Sequence, residues 1–309
     1  MMKTIPILPA ILACVLAACA PAQSGRTPAE STGDASSSVS AADDSFAPNP
    51  PPGMKLVWSD EFDADGRPDP ANWTYETGYV RNHEAQWYRP ESAEVRDGCL
   101  VITAEHHEQP LPNPNPFARM FGGNGGPIEY TSACLITKGL HAFQYGRIEA
   151  RIKAPLMEGA WPAFWTLGVS ENWPSCGEID IFEYYQDIVL ANFCWSSAKG
   201  QWTAEWSSVK TRIEQYKRND PEWADKFHVY AMDWNEHRIT LSVDGVPVND
   251  SSIDDVRNAR FRSVENPFRQ PHYLLVNLAL GGDSGGDVTK VPFPVRMYVD
   301  YVRVYQKSE

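Results

Sequence analysis

Three acidic residues crowd one short stretch of this chain, Cys176-Gly177-Glu178-Ile179-Asp180-Ile181-Phe182-Glu183. Side chains of a strand alternate between its faces, so Glu178 and Asp180 share one face while Ile179 and Ile181 take the other. Strict alternation would send Phe182 to the acidic side and bury Glu183 among apolar residues, where an ionised carboxylate is very costly. One extra residue near Ile181 and Phe182, a β-bulge, returns Glu183 to the acidic face. Such a row can hydrolyse a glycoside with retention, which takes two carboxyl groups roughly 5–5.5 Å apart, one as nucleophile and one as acid/base. The backbones of Glu178 and Glu183 lie about four strand steps, roughly 13 Å, apart, and two glutamates leaning inwards close that gap. Asp180 between them raises the proton affinity of the group by its like charge and orients the nucleophile through a hydrogen bond. One carboxylate and one carboxylic acid then coexist at neutral pH, as the mechanism requires. The competing reading is a solvated acidic strand face, although like charges side by side on a strand repel and need a reason to be there. The motif alone does not separate the two.

The elements that must position these acids are short β-type runs divided by turn signals. Such runs occur at 55–58, 100–104, 146–153, 161–169, 178–184 and 188–195, and again at 227–234, 238–243, 272–279 and 297–305. In Arg147-Ile148-Glu149-Ala150-Arg151-Ile152-Lys153 polar and apolar positions alternate strictly, the mark of a strand with one wet and one buried face. Asp97-Gly98 and Asp244-Gly245 read as hairpin turns. Helical periodicity is scarce, and residues 212–223 read as a short helix or a loop. Residues 108–127, rich in Pro, Asn and Gly, read as a long surface loop at the rim of a cleft. The fold class expected is all-β, a jelly-roll sandwich of two curved antiparallel sheets, in one domain spanning 54–307.

Of 309 residues, 42% are hydrophobic and 12% aromatic, with 11 Trp and 13 Tyr, which calls for a large aromatic core or a stacking surface. A formal net charge of -13 argues against nucleic acid or an anionic membrane surface as the main partner. The start of the chain reads as a targeting segment: Lys3, then an apolar run from residue 5 to 18, too short to span a bilayer. It ends Leu16-Ala17-Ala18-Cys19, which resembles a bacterial lipobox, so residues 1–19 are expected to be a lipoprotein signal with Cys19 lipidated. An ordinary secretory signal is the alternative. With Ala20 following, the lipoprotein reading places the protein in the cell envelope, at the outer membrane or cell surface; otherwise it is secreted or periplasmic. Residues 20–53 hold a single aromatic, Phe46, and read as a flexible Ser/Ala/Pro-rich tether. Four cysteines follow, Cys99, Cys134, Cys176 and Cys194, whose spacing does not resemble a zinc site. Disulfides and buried free thiols both remain open for them.

The acidic run resembles the bulged catalytic motif of glycoside hydrolase family 16, in particular its laminarinase-like branch. Further matching segments are Leu56-Val57-Trp58-Ser59-Asp60-Glu61-Phe62, Asn82-His83-Glu84-Ala85-Gln86-Trp87-Tyr88 and Gly159-Ala160-Trp161-Pro162-Ala163-Phe164-Trp165. Tyr145-Gly146-Arg147-Ile148-Glu149-Ala150-Arg151, Leu274-Leu275-Val276-Asn277-Leu278 and Val299-Asp300-Tyr301-Val302-Arg303-Val304-Tyr305 extend the likeness to nearly all of 55–305. The resemblance implies an open cleft across a concave sheet, Glu178 as nucleophile, Glu183 as general acid/base and Asp180 as the assisting acid. It also implies sugar contacts from Asn82, Trp161, Trp165 and Trp173. Indole faces stack on sugars, and Trp161 and Trp165 share parity on one strand; core packing is the plainer alternative for each, and Trp58 and Trp234 are assigned to the core. Many members hold a structural Ca2+, for which the matching positions are Glu61, the carbonyl of Gly98 and Asp300, oxygen donors of the hard kind calcium takes. No cofactor is expected in catalysis. The chain departs from the laminarinase pattern in Leu190-Ala191-Asn192-Phe193-Cys194-Trp195, where a histidine is usual, and Trp202 and Trp206 follow. Asn192 and Trp195 are therefore expected to face the cleft and to bear on the choice of sugar.

The function expected is endo-acting, retaining hydrolysis of a β-linked polysaccharide by a monomer, with a β-1,3(4)-glucan as the default substrate. The altered strand leaves open an endo-β-galactosidase acting on poly-N-acetyllactosamine or mucin O-glycans. Transfer to a sugar instead of water is a further option within the same chemistry. A surface glycan-binding lipoprotein without catalysis is the reading from another class, and it has no need of three acids.

Overall fold

Turn chemistry and strand alternation decide the architecture. Asp97 and Gly98 both take positive φ, 54° and 72°, as do Asp244 and Gly245, at 49° and 76°. Paired left-handed residues make the tight hairpin turns whose twist matches that of the strands they join. The computed structural model describes residues 47–115, 125–197, 203–259 and 263–308. The targeting segment with Cys19, nearly all of the 20–53 tether, Trp202 and the middle of the 108–127 segment lie outside the described residues.

Seventeen strands are described. The first eight are β1 (Met54–Asp60), β2 (Thr74–Tyr75), β3 (Gln86–Tyr88), β4 (Ala93–Arg96), β5 (Cys99–Leu111), β6 (Ile128–Ser132), β7 (Cys134–Ile136) and β8 (Gly146–Lys153). Then come β9 (Ala160–Gly168), β10 (Glu178–Tyr185), β11 (Ile188–Ser196), β12 (Ala204–Arg212), β13 (His228–Trp234), β14 (Arg238–Val243), β15 (Val246–Ser252), β16 (His272–Leu280) and β17 (Val295–Lys307). One sheet has ten strands, in the order β15-β14-β13-β8-β17-β5-β6-β3, with β1 also on β17 and β4 on β5. The other has seven, in the order β12-β11-β10-β9-β16-β7-β2. Every pairing is antiparallel except that of β3 with β6. The jelly-roll sandwich expected from the sequence is therefore present. Residues 108–111 continue β5 instead of opening a loop, and residues 212–223 contain one short helix, α1 (Ile213–Lys217).

The main core joins the inner faces of the two sheets. Phe164, Ile179, Phe182 and Leu274 of the seven-stranded sheet meet Leu100, Ile102, Ile148, Ile152, Met297 and Val302 of the ten-stranded sheet in one buried cluster. Burying a side chain of this size contributes roughly 1.5–3 kcal/mol, so this layer fixes which face of each strand points inwards. Trp234 is buried in it and Trp58 packs against it, as expected. A second, smaller cluster lies on the opposite face of the seven-stranded sheet and includes Trp161, Ala163, Trp165, Leu275 and Ala279. That face is the one available to a ligand.

Candidate active site

β10 is bulged where the sequence demands it. Against β11, Asp180 pairs with Asn192 and Glu183 with Leu190, so that Ile181 and Phe182 together face Ala191 alone. Against β9, Asp180 pairs with Trp165 and Phe182 with Phe164. Ile181 and Phe182 are consequently both buried in the main core, at 1% and 0% exposure, and Glu183 returns to the face of Glu178 and Asp180. The strand starts sharply. Gly177 takes φ +77°, and a Cβ there would lie 2.8 Å from Pro267, so the turn into Glu178 needs glycine. Side by side across the sheet stand three rows: Leu167–Glu178–Cys194–Trp206, Trp165–Asp180–Asn192–Ser208 and Ala163–Glu183–Leu190–Lys210.

Neutral donors surround the acids. The indole Nε1 of Trp161 donates to Glu183 Oε1 at 2.7 Å, and Asn192 Nδ2 donates to Glu183 Oε2 at 3.4 Å. Ser208 Oγ donates to Asn192 Oδ1 at 2.6 Å and so fixes that amide's orientation. The indole of Trp173 and, at 3.7 Å, the thiol of Cys194 donate to Glu178 Oε2. Asp180 is hydrogen-bonded to Glu178. Burial raises the proton affinity of all three carboxyls. The proton affinity of Asp180 is raised well above the ordinary carboxyl range, by burial and then by the flanking charges of Glu178 and Glu183, which favours a protonated Asp180 donating towards Glu178. That hydrogen bond, with the one from Trp173, favours the carboxylate form of Glu178. Glu183 is pushed up to about 7, chiefly by burial, against the opposing hydrogen bond from Trp161. The hydrogen bonds thus favour a carboxylate at Glu178 and a proton on Asp180, beside an acid at Glu183 raised to about 7.

These side chains open onto a cleft of about 720 Å³. Asn82, Trp161, Trp165, Trp173 and Asn192 all line it, so the structure brings together five of the six expected contact residues. Trp161 and Trp165 do point the same way, as shared parity requires. Trp165 Nε1 donates to Asn277 Oδ1 at 2.7 Å, and Asn277 Nδ2 donates to the Tyr88 hydroxyl at 3.0 Å, locking the indole in place. Asn82 sits at φ 55°, beside His83 at 51°, on a loop before β3. Trp195 is the exception. Asn192 and Cys194 face the acids, so alternation turns Trp195 to the other side, where it packs against the main core beside Phe193 and Phe268.

Sequence reasoning missed other lining residues. Glu84 is 7% exposed and borders an inner recess beneath the triad. It accepts hydrogen bonds from Gln86 Nε2 at 2.7 Å and Asn82 Nδ2 at 3.3 Å, and burial raises its pKa. Arg81 lies 5.1 Å from the ring centroid of Trp165, paired with Glu76. Trp206, Ser208 and Lys210 come from β12, which the sequence did not reveal as a strand.

Two of the expected calcium positions have arginine partners. Glu61 is held by Arg303, with Nη2 to Oε2 at 2.7 Å, and Asp300 by Arg151 at 2.8 Å. Gly98 occupies the hairpin turn between β4 and β5. Among the described residues no group of three or more His, Cys, Asp and Glu could hold a metal. Among the described residues, Cys99, Cys134, Cys176 and Cys194 are buried free thiols.

Comparison with known proteins agrees with this geometry. A β-glucanase of Rhodothermus marinus is 35% identical over 277 residues, 84% of this chain and 87% of that protein. The solved structure of the laminarinase catalytic domain of Thermotoga maritima is 32% identical, with a TM-score of 0.67 over 83% of this chain and 99% of that one. A structure from work on endo-acting O-glycanases that members of the human gut microbiota express to initiate mucin breakdown is also 32% identical, with a TM-score of 0.74 over 85% of this chain and 94% of that one. The profile of glycosyl hydrolases family 16 matches residues 81–303, and the chain belongs to that family of glycoside hydrolases.

Proposed function

We propose that the protein is a retaining, endo-acting β-glycosidase that cuts internal linkages of a polysaccharide, with Glu178 as nucleophile, Glu183 as acid/base and Asp180 as the assisting acid. The observation that carries this reading is the bulge at Ile181 and Phe182, which sets a neutral-pH acid on the same face as a hydrogen-bonded carboxylate. In the first step Glu178 forms a bond to the anomeric carbon. The glycosidic bond breaks and its oxygen takes the proton of Glu183. In the second step Glu183 accepts a proton from water, whose oxygen displaces Glu178 and regenerates both carboxyls. Asp180 keeps its proton throughout and orients Glu178. An open cleft, not a closed pocket, suits attack within a chain.

A β-1,3(4)-glucan is the default substrate, supported by the β-glucanase and laminarinase relatives. A galactose-containing O-glycan or lactosamine chain is the second reading, favoured by the higher structural similarity to the O-glycanase study's protein and by the altered strand around Asn192 and Cys194. Product analysis on laminarin, mixed-linkage glucan, keratan-type chains and mucin glycans separates them. Oligosaccharides released from the glucans support the default; cleavage of lactosamine chains alone rejects it. Glu178→Gln must bind its glycan without turnover, and retained turnover would remove Glu178 from the nucleophile role.

We further propose a lipoprotein leader at 1–19, a tether at 20–53 and a monomeric enzyme held at the cell envelope through lipid on Cys19. Palmitate labelling of the wild-type chain and of Cys19→Ala tests the anchor, since only the former should be labelled and sediment with membranes.

A further inference from the structure

β12 forms one arm of the cleft, and its cleft-facing side carries three residues in register with the acids. Trp206 stands in the row of Glu178, Ser208 in that of Asp180 and Lys210 in that of Glu183. All three line the cleft. Trp206 is 47% exposed, a large indole face left open to solvent. Two strand spacings separate β12 from β10, about 10 Å. Lys210 is therefore too distant to touch the reacting bond and well placed to touch the sugars beyond it.

The position of the Lys210 charge is the distinctive feature. Among the described residues Lys210 is the lysine that lines the cleft, and it has no ion pair there, in a chain with a formal net charge of -13. The other cation of the cleft, Arg81, is neutralised by Glu76. Lys210 is thus an unpaired cation on the same strand face as the open indole, about 13 Å along the strand from it, and its long-range attraction reaches Glu183, where it favours the carboxylate. A neutral glycan offers such a lysine only hydroxyl acceptors and no opposite charge. An acidic sugar lying on Trp206 gives it a charge-assisted partner.

Resting on the hydrolase reading above, we propose that Trp206, Ser208 and Lys210 form a subsite for a sugar bearing an anionic substituent, a sulfate ester or a carboxylate, and that the enzyme prefers such acidic glycans to their neutral counterparts. Lys210 is the residue that reads the charge, Trp206 the platform under the ring and Ser208 the link to Asn192.

The test compares matched substrates: laminarin with sulfated and with C6-oxidised laminarin, and desulfated keratan with keratan sulfate. For each backbone the ratio of kcat/KM, acidic over neutral, is measured for the wild type, Lys210→Gln and Lys210→Arg. The expected wild-type ratio is about five-fold or more at low salt, falling with ionic strength. Lys210→Gln should bring it close to one, and Lys210→Arg should restore it. The sulfated and oxidised arms show which anion is preferred. A wild-type ratio of one, or a ratio untouched by Lys210→Gln, overturns the proposal. So does a Lys210→Gln effect confined to the basic limb of the pH profile, which would make the lysine an electrostatic neighbour of Glu183 only. If no backbone of either kind is cut, the hydrolase reading fails by itself. Calorimetric binding of the acidic and neutral oligosaccharides to Glu178→Gln then decides the subsite independently, equal affinities rejecting it.

Discussion

Both sheets of the sandwich carry carboxylates on their outward faces, and the two faces treat them in opposite ways. On the ten-stranded sheet, Glu149 and Asp233 are bridged by Arg147, Asp300 by Arg151 and Glu61 by Arg303. On the seven-stranded sheet, Glu178, Asp180 and Glu183 have no ion pair among the described residues, and their partners are indoles, an amide and a thiol. A guanidinium holds a carboxylate charged and fixed, which serves the fold and forbids proton transfer. Neutral donors orient a carboxylate without committing its charge, and burial then moves its pKa towards the working pH. Removing an acid from the first face should cost stability, and removing one from the second should cost turnover.

The largest expected effect is that of Glu178→Gln, which removes the group that bonds to the sugar. Turnover should fall roughly 10⁴-fold or more while the melting temperature holds or rises, because a desolvated acid has become a neutral amide. Steady-state kinetics with a thermal melt check both halves, and a large loss of stability would erase the contrast between the faces. Glu183→Gln comes next, with a loss of roughly 10²–10⁴-fold. The wild-type basic limb, set by Glu183 near 7, should vanish from the pH profile of that variant. The sign is fixed by the first step: activity needs protonated Glu183, so the wild-type rate falls as pH rises through about 7.

Much of this contrast was legible in the sequence where a single physical cost governed. The cost of an ionised glutamate in an apolar core locates the bulge at Ile181 and Phe182 from the sequence alone, and parity places Trp161 and Trp165 together. Parity also had the answer for Trp195, three positions beyond Asn192 and so on the opposite face, but its aromatic character drew it to the cleft instead. The arginine partners of Glu61 and Asp300 were not legible. They lie 242 and 149 residues away along the chain, and oxygen donors on their own look the same whether a cation or a guanidinium sits among them. β12 was hidden for another reason. It lies at the sheet edge with one face exposed and the other only half-buried, so its Ala204–Arg212 run has no apolar alternation to betray a strand.

A smaller effect tests the first face directly. Arg303 is almost fully buried, and its guanidinium also lies 3.5 Å from the ring centroid of Tyr301. Arg303→Ala leaves Glu61 without its partner and should cost about 1–3 kcal/mol of stability, read as a lowered denaturation midpoint. Below that midpoint kcat should match the wild type. A loss of kcat without loss of stability would mean that the outer face reaches into catalysis.

The smallest effect is also the most discriminating. Trp161→Phe keeps the aromatic face towards the cleft and removes only the Nε1 donor to Glu183. That donor stabilises the carboxylate, so its loss raises the pKa of Glu183 above about 7 and moves the basic limb to higher pH. At neutral pH the acid is then more fully protonated, which favours the first step, while its looser orientation opposes it. The net change in kcat should be about three-fold or less, with the limb shift as the clearer signal. A limb that stays in place would mean that Glu183 does not set it, and the division between a face that fixes charge and a face that tunes it would have to be drawn around another acid, of which Glu84 is the nearest candidate in the recess below.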